Sequence, residues 1–128
     1  MLRRILLSVV LLGLPAFAEI ASFQDVEYHD KNISDGKVKD RDGRLHLDRD
    51  TGVIAFTSDN IVWVTILSQR VTGLSYDDKN DRNLKIQFTD SRDRQREASF
   101  KLKGGNRENI LNVLNSETQN KLVRISKK

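Results

Sequence analysis

Between Arg44 and Asp90 the chain lays down five short apolar runs, RLHLD, GVIAF, IVWVTI, VTGLSY and LKIQFTD, each bounded by Asp, Asn, Gly, Ser or Lys. None is long enough for a stable helix, and several alternate apolar with polar positions, the period of a strand with one wet face. Leu45 and Leu47 alternate with Arg44, His46 and Asp48. Asp48-Arg-Asp-Thr-Gly52 then has turn chemistry, with Gly52 free to take positive φ, so Val53 to Phe56 returns antiparallel. Ser58-Asp-Asn60 makes the next turn. Ile61 to Leu67 is almost uninterruptedly apolar, as in a strand covered on both sides or one that bears an exposed patch. Leu67 to Arg70 predicts a turn or one helical turn before Val71, Leu74 and Tyr76.

The clearest hairpin follows the polar loop from Asp77 to Asn83. Leu84, Ile86 and Phe88 alternate with Lys85, Gln87 and Thr89, and Ala98, Phe100 and Leu102 alternate with Ser99, Lys101 and Lys103. These six apolar residues are expected on one inner face, where each large side chain contributes about 1.5–3 kcal/mol on burial. Gly104-Gly105 ends the strand, and Asn106 is a suitable N-cap. Ile110, Leu111, Val113 and Leu114 then have helical spacing, with a stop near Thr118. Leu122 to Ile125 is a last short strand or a tail packed on the sheet. Residues 19–43 read as a polar, partly ordered lead-in to a domain spanning 44–128. There Ile20, Phe23, Val26 and Tyr28 fit neither period, and His29 to Gly43 is loop-like with one short edge strand near Gly36 to Lys39.

Residues 1–18 have the pattern of an export signal. Arg3 and Arg4 precede an apolar core from Ile5 to Leu14, Pro15 breaks the run, and Ala16-Phe17-Ala18 supplies the small–x–small cleavage pattern. The apolar core is too short to span a bilayer, which takes about 20 residues. The expected product is exported, periplasmic or secreted, beginning at Glu19. The whole chain has 22 basic and 18 acidic residues; without Arg3 and Arg4 the net charge is +2, which gives no case for a nucleic-acid partner. There is no cysteine, so thiol catalysis, Cys-based zinc sites and disulfide staples are excluded.

Short antiparallel strands followed by one amphipathic C-terminal helix resemble the plan of pleckstrin-homology-like and GRAM-type domains. Gly43-Arg-Leu-His-Leu47 with Gly52-Val-Ile-Ala-Phe56 looks like their opening hairpin, and Ile66 through Val71-Thr-Gly-Leu-Ser-Tyr76 looks like a strand junction of those domains. Small exported bacterial proteins that consist of one such domain look similar across Gly43 to Ile125. The resemblance implies a mainly β fold: a pleckstrin-homology-like antiparallel barrel or strongly curved sheet of six or seven strands, capped by one C-terminal helix. Lipid-binding members carry a Lys/Arg cluster at the first hairpin loop. Here that loop is Asp48-Arg-Asp-Thr-Gly52, acidic on balance, which argues against phosphoinositide binding.

Candidate chemistry is sparse. Asp30-x-Asn32-x-Ser34 begins a calcium-loop spacing, but Asp35 stands at the glycine position and Arg41 at the glutamate position. His29 and His46 are seventeen residues apart with no metal-ligand spacing, so no metal site or cofactor is expected. No serine lies in a nucleophile elbow and no glycine-rich loop cradles phosphate, so no enzyme is expected. Two surfaces stand out as binding candidates. Arg92, Arg94 and Arg96 punctuate one hairpin tip, with Lys101, Lys103 and Lys85 on the adjoining strand face, a patch suited to an anionic membrane surface. Trp63, with Ile61 and Leu67, would point outward if Val62, Val64 and Ile66 face the core, giving an apolar patch for a protein partner. The expected function is a non-enzymatic binding module of the cell envelope or secreted fraction.

Overall fold

A twelve-residue strand, β1 (Ile20–Lys31), joins the two halves of the sheet. The computed structural model describes residues 20–31, 38–79 and 82–125; the expected export signal at 1–18 lies outside them. β1 runs antiparallel to β2 (Val38–Asp48) along almost its whole length. On its other side it pairs with β7 (Gln95–Leu102) through only three residue pairs, Val26 with Leu102, Glu27 with Lys101 and Tyr28 with Phe100. β3 (Val53–Ser58) and β4 (Ile61–Leu67) extend the β2 side. β6 (Asn83–Thr89), β5 (Val71–Asp77) and β8 (Leu122–Ile125) extend the β7 side. The order is β4-β3-β2-β1-β7-β6-β5-β8, an eight-stranded open sheet with β4 and β8 at its edges.

The mainly β, helix-capped plan matches the expectation, but the sheet has eight strands against the six or seven expected and stays open instead of closing as a barrel. The stretch expected as a lead-in contributes β1 and the start of β2, and the C-terminal residues form β8, parallel to β5, the sheet's parallel pair. β1 is hard to see because it is bulged. Its register slips between Phe23 and Val26, where Asp25 takes φ 61°, so the inward positions lose their period of two. The Asp25 carbonyl accepts a hydrogen bond from the Lys103 amide at 3.0 Å, which ties the bulge to the end of β7.

The local chemistry accounts for the connections. Asp59 and Asn60 both take positive φ, giving the two-residue turn between β3 and β4 whose twist suits a hairpin. Gly52 (φ 72°) donates its amide to the Asp48 carbonyl at 2.8 Å. A 3-10 turn at Ser68–Arg70 carries the chain from one half-sheet to the other. All six inward residues of the β6–β7 hairpin are buried, Phe88 the most accessible at 8 %. α1 (Arg107–Glu117) buries Ile110, Leu111 and Leu114 in the same core and ends at buried Thr118. Asn106 stands at the helix start but makes no side-chain cap. Its Nδ2 donates to the Gln24 carbonyl at 3.1 Å, fastening the helix entry to β1.

At Gly43 the fold demands a missing side chain. It sits opposite Val26, and a Cβ there would lie 2.0 Å from the Thr57 carbonyl oxygen, a backbone atom that cannot step aside. Gly43→Ala should therefore lower the unfolding free energy by about 3 kcal/mol. Gly105→Ala, with nothing within 4 Å of its Cβ, should shift it by less than about 0.5 kcal/mol. Urea denaturation of the two variants checks the contrast, and equal midpoints would contradict the packing at Gly43.

Candidate interaction surfaces

Among the described residues β4 has a neighbour on one side only, and no residue from Ile61 to Leu67 is charged. Ile61 and Val62 are 50 % and 58 % exposed. The condition for an outward Trp63, that Val62, Val64 and Ile66 all face the core, is not met, because the β3–β4 register slips: Phe56 opposes Val64 while Thr57 opposes Val62, leaving Trp63 as the extra residue. Trp63 is half-buried against the core. Its indole N–H donates to the Ser58 carbonyl at 3.2 Å, and the Arg41 guanidinium lies 3.5 Å from its ring centroid. Arg41 is held from behind, its Nε donating to Asp30 Oδ2 at 3.0 Å. The apolar surface offered at this edge is thus Ile61 and Val62, with Trp63 as a pinned neighbour and Leu67 half-buried.

Beside this edge a cavity of about 470 Å³ opens between the half-sheets, lined among others by Tyr28, Asp30, Val64, Phe88, Arg96 and Ala98. Phe88 also lines a second cavity of about 350 Å³ with Ile66, Leu67 and Arg70, so the two flank one ring. Burial, helped by the Asp30 carboxylate, raises the Tyr28 phenol above its ordinary pKa, and the phenol is neutral at physiological pH.

The basic hairpin tip is built around an acid. Asp90 Oδ1 accepts the backbone amides of Arg92 (2.9 Å) and Arg94 (3.0 Å), and Oδ2 accepts Nε of Arg94 and of Arg96, each at 3.0 Å. Arg70 adds a bond to the Asp90 carbonyl at 2.9 Å and one to Asp93 at 3.3 Å. Arg94 and Arg96 are therefore engaged at the turn, and Arg92 alone of the three has no side-chain hydrogen bond or ion pair among the described residues. Arg96 opposes Phe88 and shares the inward parity of Ala98 and Phe100, so it leans over the cavity mouth and not onto the face of Lys101 and Lys103.

Lys101 opposes Glu27 on β1 and Asn83 on β6. Lys103 contacts Asp42 closely and Glu27 Oε1 at 3.6 Å, and the hydrogen bond it donates to Asp42 raises its pKa. Lys85 is exposed. The hairpin-tip arginines and the strand-face lysines thus do not form one patch, and three of the six, Arg94, Arg96 and Lys103, are ion-paired within the fold.

The histidines differ in setting. His46 lies between two hydroxyls, Nδ1 2.8 Å from Ser22 Oγ and Nε2 2.8 Å from Thr57 Oγ1. Burial, then the Arg44 charge, lowers its pKa. His29 faces Asp40, its registered partner on β2, with Nδ1 2.7 Å from Oδ1. Sequence reading missed this grouping because it needs the β1–β2 register; the only local trace is the Glu27-x-His29 spacing, which puts both side chains on one strand face.

Among solved structures, one titled "Structure of the Spt16D Pob3N heterodimer" superposes with a TM-score of 0.55 at 11 % identity, covering 85 % of this chain and 56 % of that one. The fold is pleckstrin-homology-like. The chain spans little more than half the length of the chain it matches. No family model and no curated protein sequence matches it.

The Asp90 turn gives the fold an acid-sensitive element. The backbone amide of Arg94 first, then the Arg96, Arg92 and remaining Arg94 donors, hold the carboxyl well below its ordinary value of 3.8. The unfolded chain takes up this proton more readily, so the stabilisation is full at neutral pH and is lost as pH falls through and below about 4. The melting temperature of Asp90→Asn should lie below that of the unaltered protein at pH 7, and the gap should narrow towards pH 2. A gap independent of pH would show that the carboxylate charge contributes nothing.

Proposed function

We propose that this chain is a non-enzymatic protein-binding module of the cell envelope or secreted fraction, and that a partner docks along the free edge of β4. The observation that carries this reading is an uncharged edge strand, bare on the side away from β3 among the described residues, that leaves Ile61 and Val62 in water. Such an edge offers backbone N–H and C=O groups in a row and is normally blunted by charge, proline or a cover. Here its apolar character suits strand addition, in which main-chain bonds supply affinity and pockets beside the edge read alternate side chains. The cavity that includes Val64 and Phe88 supplies such a pocket. The similar solved structure is titled a heterodimer, which agrees with protein contact as a use of this fold.

Catalysis finds little support. The one imidazole bonded to a serine, His46, has both ring nitrogens engaged by hydroxyls and no carboxylate to orient it. The export pattern at residues 1–18 supports the envelope or secreted location. Attachment to an anionic membrane surface through Arg92, Arg94 and Arg96 is the weaker reading, because Asp90 already engages two of the three guanidinium groups.

A photoreactive side chain at position 62 should give a discrete cross-linked product in envelope extract, and the same probe at Asn109, on the exposed side of α1, should give none. Adding Thr65→Lys to the edge should reduce the yield at least several-fold while leaving the circular dichroism spectrum unchanged. Equal labelling from both positions, or none from position 62, would reject the β4 edge as the docking site.

A further inference from the structure

The outer face of the β1–β2 ladder carries a second arrangement, separate from the β4 edge. Glu27 and His29 lie two residues apart on β1 and so project to the same side. Asp40 is the registered partner of His29, and Asp42 the registered partner of Glu27. One ligand atom from each of Glu27, His29 and Asp40 lies within 4.8 Å of the other two, with His29 Nδ1 2.7 Å from Asp40 Oδ1 and 3.8 Å from Glu27 Oε2. The Glu27 and His29 side chains are only 17 % and 26 % exposed, while Asp40, at 55 %, leaves the outer side of the cluster open.

We propose that Glu27, His29 and Asp40 form a binding site for a divalent transition-metal ion of the zinc class, with water completing the coordination. Zinc takes imidazole nitrogen and carboxylate oxygen at about 2.0–2.2 Å, which in a tetrahedral shell separates neighbouring donor atoms by roughly 3.3 Å. The two measured separations bracket that distance, so small side-chain rotations on a fixed ladder suffice. One nitrogen and two oxygens suit zinc better than calcium, which takes six to eight oxygens.

The charge pattern also favours a cation. Directly opposed carboxylates such as Glu27 and Asp42 destabilise a ladder unless positive charge lies between them. Lys103 meets that need on one side only. It contacts Asp42 and Glu27 Oε1, while Glu27 Oε2 is turned towards His29. The lysine thereby orients the Glu27 carboxylate, as the outer partners of metal-binding carboxylates do. On the other side the short Nδ1–Oδ1 approach of His29 and Asp40 holds a proton, the particle a metal ion would displace.

Calorimetric titration of the full chain with zinc chloride tests the assignment. One ion should bind per chain with a dissociation constant on the order of micromolar. Both His29→Ala and the near-isosteric Glu27→Gln should weaken it by tenfold or more. His46→Ala should leave it unchanged, since that ring belongs to a separate hydrogen-bonded chain. Melting curves of the metal-free variants show that they are folded. Absence of one-to-one binding, an undiminished affinity in either of the first two variants, or an equal loss in His46→Ala would overturn the proposal.

Discussion

The architecture rests on a short seam. Two three-stranded meanders, one of them extended by β8, meet through the second half of β1, and on the β7 side that meeting consists of three residue pairs. So short a ladder would be a weak joint if hydrogen bonds were its only content. It is filled by side chains from both halves. Tyr28 of β1 lies 5.3 Å from both Phe56 of β3 and Phe100 of β7, and those two rings are 5.8 Å apart, all at tilted angles. Each such contact contributes about 0.5–1.5 kcal/mol beyond the area it buries. Val26, fully buried, sits in the same seam. Because β1 closes the core from this side, the β4 edge and the cavity beside Phe88 keep their places relative to each other.

Regular alternation made most of this fold readable in advance. The β6–β7 hairpin shows it best, since strict alternation from Leu84 to Phe88 and from Ala98 to Leu102 maps directly onto buried positions. The helix was equally plain from Ile110, Leu111 and Leu114. β1 was obscured by its own bulge, because one extra residue at Asp25 separates inward Phe23 and Val26 by three, while exposed Ile20 lies on the other face. The bulge at Trp63 had a parallel effect on β4, where an unbroken apolar run gives no parity to follow and Val62 turned out to face water. The candidate surfaces were less legible still. That Asp90 engages Arg94 and Arg96, or that Glu27 and His29 meet Asp40, depends on turn geometry and register, which composition does not encode.

Several charged side chains join elements distant in sequence. Lys103 reaches across to Asp42 and Glu27, and Arg41 links Asp30 with Trp63. Arg124 of β8 bridges Asp78 after β5 and Glu108 of α1, with its guanidinium 5.6 Å from the Tyr76 ring centroid. These bonds are largely solvent-accessible, and pairs of that kind contribute little each to stability, commonly under about 1 kcal/mol. Their effect is better described as orientation: they fix which way the ends of β2, β7 and β8 face. A count of basic residues therefore overstates the positive surface available to an outside ligand.

The long β1 also bears on how the chain reaches this shape. Apart from β8, which joins β5 from 48 positions away, each half-sheet pairs strands that are neighbours in sequence, so those ladders can form from local encounters. The seam cannot. Val26 and Leu102 are 76 positions apart, and their pairing must wait until the intervening chain has been drawn together. The β1–β7 pairing thus carries a larger loop-closure cost than the hairpins, and it is the pairing that shuts the aromatic cluster away from water.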